Sequence, residues 1–170
     1  GRPPSAGPLD APAEEFSASR ARRVQERLFA GNLPHPIGSL EHAAVRERVV
    51  DELRGLGLAP EVQEVVACSP EPICATVRNV VARIAGGRSS GPAGAGSGAV
   101  LLATHYDSVA AGPGASDAGA SVAAVIEIAR ALQHFPAGAA LGRDVILLID
   151  DGEEADLLGA EGFLRHPWFG

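Results

Sequence analysis

No cluster of basic residues interleaved with aromatics occurs in this 170-residue chain, which sets 14 basic against 21 acidic side chains for a net charge of -7. It has nothing with which to follow a phosphate backbone, so a nucleic acid is excluded as the expected partner. Long apolar runs are missing as well. The longest, AVLLA and VILLI, fall far short of the ~20 residues that cross a bilayer, and no stretch has the layout of a signal peptide; as it stands the chain is expected to be soluble. Cysteine is scarce: Cys68 and Cys74 are the two present. They flank SPEPI, a turn-forming stretch that allows a disulfide, with a pair of reduced, half-buried thiols as the alternative. No second Cys/His pair stands at finger spacing, which leaves a cysteine metal site with the least support.

What is present suits one ordinary domain, since 46% of the residues are hydrophobic and 21% charged. Residues 1–15 are rich in Gly, Pro and Ala without periodicity and are expected to be a flexible lead-in carrying no chemistry. Ser17 or Ser19 can cap a helix with Ala21, Val24 and Leu28 at helical spacing, ended by Gly31. His35 lies between two prolines and is read as a packed or solvated loop residue, not a ligand. Ser39 opens a second helix with Val45, Val49, Leu53 and Leu56 on one stripe, stopped by Gly55 and Gly57, and with an ordinary polar surface.

The period then changes to two. EVQEVVA and ATVRNVVARIA are predicted strands, the second placing Val80, Ala82 and Ile84 on one face and Arg83 on the other, as at a partly exposed sheet edge. Gly86 to Gly98 is low in complexity, lacks large apolar side chains and predicts a hairpin tip, not a phosphate loop. AVLLATHYD and DVILLIDD are continuous apolar runs, as in strands covered on both faces. The helical spacing of Val122, Val125, Ile126, Ile128 and Leu132 between them makes a strand, helix, strand unit with parallel strands in an α/β sheet.

Both polar clusters, HYDSVAAGPGASD and DDGEE, start where an apolar strand stops, and ligands of open α/β sheets gather beyond the carboxyl ends of strands. His105 and Asp107, two apart, share one side of a strand end, so Asp107 can orient the imidazole of a histidine that binds a metal. Asp117 follows a glycine-rich turn; Glu153 and Glu154 sit at the expected start of another helix. Taken singly, each has a structural explanation as an N-cap, first-turn acid or core histidine. Taken together, four carboxylates around one histidine repel one another unless cations neutralise them. Mixed imidazole and carboxylate ligation suits zinc, and a carboxylate able to bridge suggests two ions. Of the adjacent glutamates, one can bind metal while the other faces the activated water as a base.

At these residues the chain resembles the di-zinc aminopeptidases of peptidase clan MH, whose relatives include glutamate carboxypeptidases and glutaminyl cyclases. The resemblance runs from about Phe16 to Phe163 through HPIGS, NVVARI, THYDSVAAGPGASDAGASVAAVIEIAR and DDGEEADLLGAEGF. The twelve positions from His105 to Asp117 favour the aminopeptidase branch over relatives whose bridging aspartate lies further along. The resemblance implies a three-layer α/β/α fold with a mixed, centrally parallel sheet, incomplete at its C-terminal side, and makes residues 16–170 the N-terminal part of one zinc-peptidase domain. It implies that His105, Asp117 and Glu154 bind zinc, Asp117 bridging two ions, that Asp107 orients His105, and that Glu153 is the general base. The reaction implied is hydrolysis of the N-terminal peptide bond of a peptide with a free N-terminus. The family's second zinc takes a further carboxylate and histidine from downstream segments; His166 is too close to serve, and residues 1–170 alone are expected to be inactive. Ala118 departs from the Asp or Asn that relatives often place there, at a position where a cis peptide is common. The HPIGS and FLRHPWFG contexts resemble the branch tethered by membrane helices, which implies a periplasmic or cell-surface location. A non-catalytic binding module on the same fold is the alternative, opposed by the intact GEE, and a glutaminyl cyclase-type acyltransferase is the other.

Overall fold

The computed structural model describes residues 6–86, 98–135, 141–166 and 168 of the chain. Ser17 starts the first helix, α1 (Ala18–Leu28): its backbone is extended and its hydroxyl accepts the Arg20 N–H at 3.2 Å. Ala21, Val24 and Leu28 are buried, and the C-cap is Phe29, two residues short of Gly31. Ser39 caps α2 (Leu40–Gly55) in the same way, accepting the His42 N–H at 3.1 Å. Val45, Val49 and Leu53 are buried as expected, whereas Leu56 caps the helix and Gly57, at φ +77°, carries the chain away.

Four strands follow: β1 (Glu61–Cys68), β2 (Cys74–Ile84), β3 (Val100–His105) and β4 (Val145–Asp150), in the order β1-β2-β4-β3. β1 and β2 form an antiparallel hairpin closed by a Cys68–Cys74 disulfide. β2 is therefore not an edge, because β4 pairs antiparallel with its other side; β1 takes the edge position. β3 and β4 are parallel and connected through α3 (Ala120–Gln133), the predicted crossover unit. The predicted hairpin tip does not join paired strands, since β4 lies between β2 and β3; most of that stretch, 87–97, lies outside the described residues.

Side chains alternate across the sheet. Val80, Ala82 and Ile84 of β2 and Val145, Leu147 and Ile149 of β4 face α1, α2 and α3, while Val81, Ile146 and Leu148 pack with Phe163 of α4 (Leu158–Arg165). The result is a helix/sheet/helix arrangement with a mixed sheet. Arg83 is exposed and pairs with Asp144 at 2.6 Å. Every residue of β4 is buried, each large apolar side chain contributing roughly 1.5–3 kcal/mol. β3 departs from its expected double covering: Val100 and Leu101 are exposed, because β3 is the last strand on its side of the described sheet and α4 packs instead on β1 and β2.

Glu127 of α3 is buried and accepts from Ser17 N, Arg20 Nε and Arg130 Nε at 2.9, 2.9 and 2.7 Å. Burial alone would raise its pKa, but the two guanidinium groups and the Ser17 amide hold it low. The same arginines donate to the carbonyls of Ala11 and Ala13, which lays part of the expected lead-in across α1 and α3.

Candidate active site

The parallel pair β3 and β4 ends at one rim, with His105 opposite Asp150 in the register. His105 is buried and lies between carboxylates. Its Nδ1 is 3.2 Å from the main-chain oxygen of Asp107 and 3.4 Å from Asp107 Oδ1; its Nε2 is 3.1 Å from Asp117 Oδ1 and 3.7 Å from Glu153 Oε2. Burial alone would lower the His105 pKa, yet hydrogen bonds to Asp107 and Asp117 and the nearby Glu153 charge raise it to about 9.

Asp107 does more than face the histidine. Its Oδ1 accepts the N–H of Glu153 and its Oδ2 the N–H of Glu154, both at 3.1 Å, so one carboxylate from the β3 end clamps the turn after β4. Burial would raise its pKa; the His105 bond and the two amides hold it below the usual carboxylate range. The HYD triplet pointed to Asp107, but nothing in the sequence indicated that it bonds two amides 46 and 47 positions later.

Asp117 lies in an irregular turn, Ala115–Gly119, that precedes α3, and the Asp117–Ala118 peptide bond is cis. Gly114 enters this turn at φ +61°, where an added Cβ would meet Ser108 Cβ at 2.8 Å and Asp117 O at 3.0 Å, so only glycine fits. Gln25 of α1 donates to the Ala115 carbonyl, and Gly119 N–H to Gly114 O at 2.8 Å. His35 is packed behind the site: its N–H donates to Ser108 Oγ at 2.8 Å and its ring lies tilted against that of Phe29, centroids 5.2 Å apart.

Glu153 and Glu154 do not begin a helix. They occupy the turn before α4, which starts at Leu158, because Asp107 captures their amides and Asp156 and Leu157 take positive φ. Glu153 is half-buried beside His105, whereas the Glu154 side chain is exposed. The pKa of Glu154 is raised, by slight desolvation and then by the charges of Asp117 and Glu153. Asp150, absent from the expected site, is buried at the same rim, and among the described residues its Oδ1 has no hydrogen-bond partner.

Among the described residues no three His, Cys, Asp or Glu side chains close around a point as a metal site would require. The arrangement is an open cluster: Asp117 and Glu153 face the His105 Nε2, and Glu154 stands beside them. Its donor chemistry nonetheless fits zinc, an imidazole nitrogen with carboxylates whose mutual repulsion a cation would relieve.

The family model for peptidase family M28 matches residues 79–169, which include all five of these residues. A putative endoplasmic reticulum metallopeptidase 1-A of Caenorhabditis elegans is 32% identical over 173 residues, covering 91% of this chain and 18% of that protein. Among solved structures, glutaminyl cyclase of Porphyromonas gingivalis superposes with a TM-score of 0.71 at 25% identity, over 91% of this chain and 57% of that one. A Zn-dependent exopeptidase from Parabacteroides distasonis superposes with a TM-score of 0.70 at 22% identity, over 92% and 58%. This chain thus spans less than a fifth of that curated relative and somewhat more than half of those two structures. The family match spans more than half of the chain and the nematode relative is aligned over nearly all of it, and the chain belongs to peptidase family M28.

Proposed function

We propose that this chain is the N-terminal part, residues 16–170, of a zinc aminopeptidase domain that hydrolyses the first peptide bond of a peptide with a free N-terminus. The observation that carries this reading is the convergence of His105, Asp117 and Glu153 at the β3–β4 rim, with Asp107 fixing both His105 and the Glu153–Glu154 turn. His105, Asp117 and Glu154 would hold zinc, and Asp117, whose side chain is 83% exposed, would be the carboxylate shared with a second ion. Zinc, when bound, supplies a Lewis acid that acidifies water and polarises the scissile carbonyl. Glu153 accepts the proton of the attacking water and returns it to the leaving amine, a transfer that suits a half-buried carboxylate beside His105. Asp107 keeps Nδ1 of His105 engaged, which would leave Nε2 as the nitrogen that holds the metal. We place the parent protein outside the cytoplasm, periplasmic or at the cell surface and tethered to a membrane; the Cys68–Cys74 disulfide supports an oxidising compartment. Among the described residues no helix is long and apolar enough to cross a membrane, so a tether would lie elsewhere.

The likeness to a glutaminyl cyclase favours one second reading, cyclisation of an N-terminal glutamine. Incubating the intact protein with leucine amide and, separately, with a glutaminyl peptide distinguishes them. The expected result is release of leucine, abolished by a chelator and restored by zinc. Cyclisation without leucine release would replace the hydrolytic reading.

A further inference from the structure

His42 of α2 is 2% exposed, and its Nε2 donates to Asp151 Oδ1 at 2.6 Å. Asp151 is fully buried and all its hydrogen-bonding groups along this edge are used: Oδ2 accepts the Arg78 N–H at 2.8 Å, and its own N–H donates to Asn79 Oδ1 at 3.0 Å. Two residues later the chain presents Glu153. The other face of the imidazole stacks on Tyr106, ring centroids 4.9 Å apart and planes 15° from parallel. Tyr106 stands between His105 and Asp107, and its hydroxyl donates to the Arg78 carbonyl at 3.0 Å. One side chain from α2 therefore touches both segments that supply the rim, and the Arg78 peptide groups bond to both as well.

A buried polar pair contributes little net stability compared with apolar residues of the same volume. What it supplies is direction, because a hydrogen bond fixes orientation where an apolar contact does not. We propose that His42 and Asp151 are a positioning pair: acting through Tyr106 and through the Gly152 turn, they set the placement of Glu153 and Glu154 relative to His105. Neither touches substrate. The proposal rests on the hydrolytic reading above for its consequence in catalysis, and on geometry alone for its consequence in the turn.

The test uses the intact protein with His42→Leu, which fills the space without a donor, and His42→Gln, whose amide N–H can reach Asp151. Turnover of leucine amide, KM, zinc content and hydrogen exchange at the Glu153 and Glu154 amides are measured on the same preparations. For His42→Leu we expect kcat per bound zinc to fall by about 10- to 100-fold at unchanged KM, with faster exchange at both amides; His42→Gln restores both. Wild-type kcat and wild-type exchange in a folded His42→Leu protein would overturn the proposal. If the unmodified protein hydrolyses no aminoacyl amide, the hydrolytic reading has failed, and exchange still decides: faster in His42→Leu and restored in His42→Gln supports the pair, unchanged overturns it. Should His42→Leu not fold, Asp151→Asn keeps the shape but opposes an amide donor to either His42 Nε2–H or Arg78 N–H, and the same losses are expected; their absence is equally decisive.

Discussion

Two buried aspartates at the same rim meet opposite fates. Asp107 accepts two amides and a histidine and is held ionised; Asp150, one strand over, has an oxygen without a partner among the described residues, and burial, with the neighbouring carboxylates, pushes its pKa up to about 7. A carboxyl whose folded pKa exceeds its unfolded value contributes stability that is complete below the unfolded value, 3.8, and lost as the pH rises through the folded one. Asp150→Asn is neutral at every pH and removes that loss. Thermal melts of the metal-free chain should show the variant gaining on wild type between about pH 5 and pH 8, on the order of 1 kcal/mol or more. An equal difference at both pH values would show that Asp150 is not strained by ionisation. The sequence marked Asp107 through its spacing from His105, but could not rank Asp150 against Asp151: adjacent acids at a strand end look alike until the neighbouring strand and helix assign one of them a partner.

At the scale of elements, α4 shows how a site turn is backed. Gly159 and Gly162 let this short helix lie against the sheet: a Cβ on Gly159 would come within 2.1 Å of Asp151 O, and one on Gly162 within 2.6 Å of Val65 Cγ2. Gly159→Ala should push α4 away from the Asp151 backbone and cost about 1–3 kcal/mol in urea unfolding; wild-type stability would mean that the helix seats more loosely than this. The strands and helices themselves were legible from apolar spacing, and Ser17 and Ser39 from capping chemistry. Strand order was not. β2 read as an edge because its alternating pattern is that of a strand near solvent, and only the long-range pairing with β4 moves it inside. The start of α4 was misplaced for a related reason: acids after a strand suit a first helical turn, but Asp107 competes for their amides and wins.

For the whole molecule, the site is an edge property. His105 ends β3, the last strand on its side of the described sheet, and Val100 and Leu101 remain exposed there. That explains why the rim residues form an open cluster while Asp107 and Asp151 beneath them are fully bonded: the supports come from elements this chain contains. That His105, Asp107, Asp117, Glu153 and Glu154 meet at one rim was legible because both polar clusters begin where an apolar strand ends. The division of roles between the two glutamates is the central claim, and it is tested most directly by zinc content measured beside turnover in the intact protein. Glu153→Gln should lower turnover by about 10²-fold or more while zinc content stays at the wild-type level, whereas Glu154→Gln should lower zinc content too. Equal zinc loss in both variants, or zinc loss confined to Glu153→Gln, would contradict the assignment.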